Sequence, residues 1–139
     1  MIKIEYCDAP TPEEREAILG PLVDFNHRAA PASSTEPFAF FLKDDAGEIV
    51  GGLWGETFYE WLYVDLLYVP ESLRGTGQGA ELLARAEALA EEKDCVGVWL
   101  YTFGFQALDF YQRQGYTIFG DLPVPSRRST RYFLKKTCR

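Results

Sequence analysis

The segment Leu66-Leu-Tyr-Val-Pro-Glu-Ser-Leu-Arg-Gly-Thr-Gly-Gln-Gly-Ala80 reads as an apolar strand that runs into a glycine-rich turn and then opens a helix. Glycines at positions 75, 77 and 79 carry no Cβ atoms, so consecutive backbone N–H groups can converge on an anion at the positive end of the helix dipole. Arg74 adds a charged fork beside them. The segment therefore predicts a phosphate site at a junction of strand, turn and helix.

Several kinds of glycine loop share this pattern. The spacing Gly75-x-Gly77-x-x-Ala80 also fits the dinucleotide-binding fingerprint. A dinucleotide fold begins with this unit and places an acid at the end of the next strand, whereas the unit here starts at residue 66 and the next predicted strand, Val96–Thr102, ends in Tyr-Thr. A Walker loop fits less well, because no Lys-Ser or Lys-Thr follows the glycines. A glycine turn without a ligand stays open.

Two motifs in order are more specific than one loop. The pattern Val-x-Glu-x-x-Arg-Gly-x-Gly-x-Gly over residues 69–79 resembles the acyl-CoA pyrophosphate loop of the GNAT acetyltransferase superfamily. The pattern Ala-x-x-Phe-Tyr-x-x-x-Gly-Tyr over residues 107–116 resembles the later helix–turn–strand signature of the same superfamily. The resemblance covers about residues 37–136 and extends to a small bacterial subgroup.

The resemblance implies acetyl-CoA as co-substrate and no metal ion. It implies that the main chain of Leu67–Val69 pairs with the pantetheine arm like an added strand and offers an N–H group to the thioester oxygen. It also implies that the amides of residues 74–80 hold the pyrophosphate. The expected cofactor contacts are Leu67, Tyr68, Val69, Arg74, Gly75, Thr76, Gly77, Gln78, Gly79, Ala80, Gln106 and Phe110.

The chain departs from the pattern at two points. The superfamily frequently has asparagine three residues before the alanine of the second motif, as a side-chain anchor for pantetheine, and this chain has Gly104 there. Gln106 or Thr102 is the candidate replacement. Related sequences of the subgroup often carry Gly-His before the last strand, where this chain has Arg128 and Ser129.

Acetyl transfer from a thioester to an amine needs a proton donor for the leaving thiolate. Tyr111 matches the position from which the superfamily supplies a phenol. A phenol with a pKa near about 10 is protonated at neutral pH and can donate to a thiolate of pKa about 8–9. The alternative is a core tyrosine packed on Ala107.

Two carboxylates are candidates for the general base. Asp65 lies in the middle of the apolar strand Trp61–Val69, where alternation puts it on the same face as Trp61, Tyr63 and Leu67. A carboxylate there needs a partner or a chemical role. Glu60 precedes the same strand, near the place where the superfamily often has its base. A water chain without a dedicated base, and a purely structural Asp65, stay open.

The periodicity along the chain predicts one α+β domain over residues 1–139, with a mixed, mainly antiparallel central sheet flanked by helices and two central strands running parallel. The predicted elements are a strand at Ile2–Tyr6, helices from Thr11 to about Leu19 and from Leu22 to about Arg28, a hairpin of Phe38–Leu42 and Glu48–Phe58, a central strand Trp61–Val69, a helix after the glycine loop, a strand Val96–Thr102, a short helix Phe105–Gln114, and closing strands Tyr116–Phe119 and Thr130–Lys135.

Composition limits the class of protein. Three cysteines without CxxC spacing and one histidine argue against a disulfide framework or a zinc site. The N-terminus carries charges too early for a signal peptide, and no apolar run reaches membrane-spanning length, so we expect a cytoplasmic protein without a membrane partner. A formal net charge of −7 argues against nucleic acid and is compatible with a cationic acceptor.

The sequence thus predicts an acetyl-CoA-dependent N-acetyltransferase that acts on a small primary amine by direct transfer in a ternary complex. A protein or peptide N-terminus is the alternative acceptor, and a non-catalytic acyl-CoA sensor is the alternative outside enzymes. An aromatic cluster, Trp54, Phe58, Tyr59 and Trp61, is compatible with an acceptor pocket, a homodimer face or ordinary core.

Overall fold

A computed structural model describes residues 1–31 and 33–138. The chain forms two compact units, Met1–Ser33 and Ser34–Arg139, and a single domain over residues 1–139 stays a prediction. The elements are α1 (Pro12–Ala29), β1 (Glu36–Lys43), β2 (Ile49–Phe58), β3 (Trp61–Tyr68), α2 (Gln78–Glu92), β4 (Gly97–Phe103), α3 (Leu108–Arg113), β5 (Thr117–Val124) and β6 (Ser129–Thr137), with short 3₁₀ turns at Glu71–Leu73 and Pro125–Arg127. No helix among these residues has the length and apolarity that a membrane crossing requires.

The first unit holds one helix where two were predicted. The capping box at the start of α1 is confirmed, because the Thr11 hydroxyl accepts from the Glu14 N–H and the Glu14 carboxylate accepts from the Thr11 N–H. The predicted break at Gly20-Pro21 is wrong: α1 continues through Pro21. Proline removes only one helical hydrogen bond there, and its partner carbonyl on the exposed helix can be hydrated. The predicted strand Ile2–Tyr6 is also wrong, since alternation alone makes no strand without a neighbouring strand to pair with.

The second unit is built on a six-stranded sheet with the order β1-β2-β3-β4-β6-β5. All neighbouring strands are antiparallel except β3 and β4, which run parallel and are joined through α2. The predicted α+β class and the parallel central pair are therefore confirmed. A two-residue turn with positive φ at Tyr59 and Glu60 joins β2 to β3, as in a type I′ hairpin.

The two faces of the sheet differ in chemistry. On the helical face, the side that α2 covers, strand and helix side chains form one apolar core that includes Leu53, Leu62, Val64, Leu82, Leu83, Ala86, Ala90, Val98, Leu100 and Leu134. On the other side, here called the aromatic face, alternation places Tyr63, Trp99, Tyr101, Phe103 and Phe133. Trp54, Phe58 and Tyr59 are not among the buried residues of the chain, so the ordinary-core alternative is wrong for them.

A polar cluster ties α2 to the last strand and to the end of α3. The Tyr116 hydroxyl donates to the Glu87 carboxylate at 3.0 Å, and the Lys136 ammonium donates to the same carboxylate at 2.9 Å. Lys136 also donates to the backbone carbonyl of Gln114 at 2.9 Å. Since Tyr116 is only 2% exposed, loss of its partner would leave a buried hydroxyl unpaired.

Replacing Glu87 should therefore destabilise the protein. We expect Glu87→Ala to lower the free energy of unfolding by about 1–3 kcal/mol. Glu81→Ala on the same helix is the control: it removes an ion pair to Arg85 whose side chains are 58% and 63% exposed, and we expect a loss below about 0.5 kcal/mol. Urea titration of both variants measures the difference, and equal losses would contradict the role of the cluster.

Candidate active site

The two parallel central strands, β3 and β4, pair with each other over a short stretch. Pairing between β3 and β4 covers Trp61 with Gly97, Leu62 with Val98 and Tyr63 with Trp99. Beyond that point β3 continues to Tyr68 and β4 continues to Phe103 without pairing to each other. The main-chain groups of β3 that point toward β4 are thus left without a strand partner, and a gap opens in the sheet between the two strands.

An irregularity in β3 accompanies this gap. Leu66 pairs with Trp54 and Val64 pairs with Gly55, so Asp65 is an extra residue with no opposite number on β2. The bulge shifts the alternation by one, and Leu67 pairs with buried Leu53 on the helical face. The prediction that Leu67 shares a face with Trp61 and Tyr63 is wrong for this reason. The premise of a buried Asp65 is also wrong, because Asp65 is exposed.

The glycine loop that follows β3 forms an open cradle. Gly75 and Gly77 have φ of +79° and +85°, a conformation that side chains with Cβ atoms rarely adopt. A Cβ at either position would meet nothing within 4 Å, so the space in front of the loop is free. Gly77 caps α2 without a side-chain hydrogen bond, which leaves the first N–H groups of the helix available to an anion.

Gly79 has a different role from the two loop glycines. It lies in the first turn of α2, and a Cβ there would come within 3.2 Å of the Phe110 ring. The missing side chain therefore lets Phe110 of α3 pack directly against the start of α2. This contact brings the second motif of the sequence onto the glycine loop.

Arg74 and Thr76 are held by the loop backbone. The Arg74 Nε donates to the Val69 carbonyl at 3.0 Å, and its guanidinium lies 6.0 Å from the centre of the Tyr68 ring. The remaining guanidinium N–H groups can face an anion. The Thr76 hydroxyl instead donates to the Leu73 carbonyl, which fixes the turn.

A cleft of about 670 Å³ joins these parts. It is lined by residues 67–69 of β3, by most of the loop and first turn of α2, and by residues 106–114 around α3. Every predicted cofactor contact except Thr76 lines it, and so does Tyr111. Glu60 does not line the cleft. It lies in the β2–β3 turn, seven residues before Leu67, and is about 23 Å from Leu67 along the strand.

Tyr111 is 7% exposed and packs its ring near Tyr116, with 6.1 Å between the ring centres. Burial raises the pKa of its phenol to about 12. The phenol thus stays protonated through the physiological range and makes no hydrogen bond to any residue in the described part of the chain. A protonated hydroxyl in the cleft is the state that a proton donor requires.

Gln106, the candidate replacement for the missing asparagine, lines the cleft. Its Oε1 accepts from the Phe103 N–H at 2.8 Å and lies 3.3 Å from the Thr102 hydroxyl. Because the Phe103 N–H can only donate, the amide oxygen must face it, and the amide NH₂ is left for the cleft.

The two departures from the motif pattern lie against each other. A Cβ at Gly104 would come within 3.3 Å of the Ser129 hydroxyl and 3.4 Å of the Tyr132 ring. An asparagine at position 104 would therefore crowd Ser129. Arg128, just before it, has φ of +47°, the region that a glycine adopts without strain.

Glu56, a carboxylate on the aromatic face of the gap, was not among the site residues predicted from the sequence. Burial, and after it the neighbouring Tyr101, Asp65 and Glu56, raise the pKa of Tyr63 to about 12. Glu56 pairs with Tyr63 across β2 and β3, so both side chains are on one face. The signal was present in the alternation Trp54-x-Glu56-x-Phe58, which puts one carboxylate in an aromatic row.

In residues 1–31 and 33–138 no cluster of three metal-ligating side chains occurs.

Comparisons with known proteins agree with this geometry. Residues 3–116 match the model of the Acetyltransferase (GNAT) family. An acetyltransferase from Agrobacterium fabrum is 37% identical over 130 residues, which cover 93% of this chain and 95% of the relative. Blasticidin-S acetyltransferase from Streptomyces morookaense is 45% identical over 93 residues, 66% of this chain and 68% of the relative. The crystal structure of an acetyltransferase from Agrobacterium tumefaciens superposes with a TM-score of 0.91 at 34% identity and covers 98% of this chain and 99% of that one.

The cradle can be tested with a matched pair of substitutions. Gly77→Asp and Gly77→Asn place side chains of the same size at a position with φ of +85°, and only Asp adds a negative charge. We expect Asp to weaken CoA binding at least about tenfold more than Asn does, because it repels the pyrophosphate. Calorimetry with CoA measures both, and equal affinities would show that no phosphate lies at this loop.

Proposed function

The chain belongs to the Acetyltransferase (GNAT) family, and on that premise we propose that this N-acetyltransferase moves the acetyl group of acetyl-CoA directly to the primary amine of a small molecule within a ternary complex. The amine nitrogen attacks the thioester carbonyl, the C–S bond breaks, and the thiolate leaves as CoA thiol. In this direct transfer no acetyl-enzyme forms, because the amine itself attacks the thioester.

One observation carries the proposal: β3 and β4 stop pairing after Tyr63 and Trp99, and the cleft with the glycine loop opens beside the unpaired part of β3. An extended molecule with amide groups can pair with the main chain of residues 67–69 as an added strand would. The pantetheine arm of acetyl-CoA has this form. With its pyrophosphate on the glycine loop, its thioester reaches the gap between the strands.

Two proton transfers complete the reaction. The Tyr111 phenol lines the cleft and donates a proton to the leaving sulfur. On the aromatic face of the gap, Asp65 and Glu56 are the carboxylates beside Tyr63, and one of them takes the proton of the amine, directly or through water. Glu60, at the far end of β3, is the weaker candidate.

A small molecule is the acceptor that the relatives favour. Blasticidin-S acetyltransferase is named for a small-molecule substrate and shares 45% of its residues with this chain over the matched region. A panel of small amines and of peptides with free N-termini, followed by release of free CoA thiol, tests this choice. Turnover on peptides alone would overturn it.

The reaction fits a reducing, cytoplasmic compartment. Cys7 is an exposed free thiol, and Cys95 is a buried one. Exposed thiols persist where disulfides are kept reduced. Labelling of Cys7 in unbroken cells with a membrane-permeant reagent, and not with an impermeant one, is the expected result.

Removal of the proton donor should slow the chemical step. We expect Tyr111→Phe to lower kcat about 10- to 1,000-fold, near the usual range for an acid–base group, with acetyl-CoA affinity unchanged. Because the pKa of Tyr111 is raised to about 12, the donor is protonated throughout, and the loss should be the same at every pH from about 6 to 10.

Tyr116→Phe is the matched control for that loss. It removes the hydroxyl of a neighbouring buried tyrosine that bonds Glu87 at 3.0 Å and does not line the cleft. This variant should be less stable but should keep kcat. A wild-type kcat for Tyr111→Phe would make Tyr111 structural.

The base is tested by pH–rate profiles. If Asp65 accepts the proton, Asp65→Asn should lower the rate and change the shape of the profile, because the variant has no carboxylate to take the proton of the amine. Because Asp65 is exposed, the melting temperature should hardly change. Glu56→Gln tests the second carboxylate, and Glu60→Gln tests the weaker candidate at the far end of β3, for which we expect wild-type behaviour. An unaltered profile for both Asp65→Asn and Glu56→Gln would leave water as the acceptor of the proton.

A further inference from the structure

Arg131 on β6 lies in an unusual setting. Its guanidinium carbon is 4.9 Å from the centre of the Tyr101 ring and 5.2 Å from the centre of the Phe103 ring. Arg131 pairs with Phe103 across β4 and β6, so the side chain leaves β6 on the aromatic face and leans back over β4. It thereby comes toward the gap between β3 and β4.

Among the residues that the structure describes, this guanidinium has no hydrogen-bond or ion-pair partner. Its Nε is buried and makes no hydrogen bond to any residue in the described ranges, and none of the ion pairs in those ranges involves it. Arginine has five N–H donors and remains charged at any relevant pH. The aromatic rings stabilise the charge from their faces, but they offer no acceptor in the plane of the fork. A guanidinium without an acceptor is unfavourable. Because Arg131 as a whole is only partly buried, an acceptor oxygen from a ligand would bind the guanidinium through its terminal NH₂ groups.

The position ties Arg131 to the reaction. Tyr101 and Phe103 lie two and four residues beyond Trp99, the last residue of β4 that pairs with β3. They therefore border the gap on one side, and Asp65 borders it on the other. The cofactor cleft is on the helical face, so the aromatic face is the side from which the second substrate reaches the thioester. Arg131 and Asp65 thus place charges of opposite sign on the two sides of the path by which the second substrate reaches the gap.

We propose that Arg131 binds a carboxylate of the acceptor, so that the acceptor is an amine that also carries a carboxylate group. The inference rests on the proposed function and makes its substrate class more specific. A carboxylate matches the planar fork with two parallel hydrogen bonds. A phosphate, with more charge and more oxygens, would meet one guanidinium and two nearby carboxylates, Asp65 and Glu56, which disfavours it.

The site would bind the amine and the carboxylate of such an acceptor at two different places. The ammonium form is attracted to Asp65 and Glu56, on whose side it loses its proton before attack. The carboxylate turns to Arg131 above β4. The acceptor is thereby oriented by two contacts, and its nitrogen is directed to the thioester in the gap.

The test is a panel of matched amines with the wild-type enzyme. It compares L-phenylalanine with L-phenylalaninamide and phenethylamine, and L-lysine with L-lysinamide and cadaverine, with rates expressed per neutral amine. At least one acid should have a kcat/KM about tenfold or more above both of its uncharged-carboxyl counterparts. No preference for either acid would overturn the proposal.

Variants then assign the preference to Arg131. Arg131→Met keeps the packing on the two rings and removes the hydrogen-bond donors. This variant should raise KM for the preferred acid about 10- to 100-fold and leave KM for the matching amine within about twofold. Arg131→Lys keeps the charge without the fork and should give an intermediate KM. Lys135→Met is the control, since it removes another cation of the same face of β6, 5.8 Å from the Phe119 ring, and should change neither KM. An equal rise for acid and amine, or none, would overturn the proposal.

A binding measurement keeps this result separate from the proposed function. N-acetyl-L-phenylalanine and N-acetylphenethylamine are titrated into the CoA-loaded wild type and into Arg131→Met. Tighter binding of the acid that is lost in Arg131→Met supports carboxylate recognition even if no amine of the panel is turned over, and absence of that difference overturns it. Turnover of no amine at all, with CoA bound, would count against the small-amine function alone.

Discussion

The site depends on the short contact between the two parallel strands. Only three residue pairs join β3 to β4, and then the strands part. Main-chain N–H and C=O groups favour partners, so the free side of β3 is a template for an extended ligand with amide groups. The glycine loop can serve the other end of that ligand because it continues directly from the same strand. In the proposed complex, the parting of the strands thus links the position of the thioester to the position of the phosphates.

The bulge at Asp65 divides the chemistry between the two faces. Without the extra residue, Asp65 and Leu67 would lie on one face. With it, Leu67 joins the core and the cofactor cleft, while Asp65 stays beside Tyr63 on the aromatic face. One added residue therefore puts cofactor contacts and candidate proton acceptors on opposite sides of a single strand. In the proposed reaction, the thioester and the amine meet in the gap between them.

The sequence predicted what is encoded locally. The glycine loop and its helix are specified within residues 66–80, and nearly all of the predicted contacts line one cleft. The bulge was not predictable, because Leu66 and Leu67 are both apolar and hide a change of face. Pro21 did not end α1, although proline removes one helical hydrogen bond and crowds the preceding turn, so the local signal did not decide the length of the helix. The contact between Gly104 and Ser129 joins positions that are distant in sequence, so only the fold could bring the two departures together.

Acceptor choice and cofactor binding draw on different residues. The cofactor side uses main-chain groups and glycines, whose substitution disturbs the loop. The proposed acceptor contacts are side chains on the aromatic face, above all Arg131 over Tyr101 and Phe103. Substitutions there change charge and shape without altering the cleft on the other face. If Arg131 binds the acceptor as proposed, a substitution there would therefore change the choice of amine while the use of acetyl-CoA stays the same.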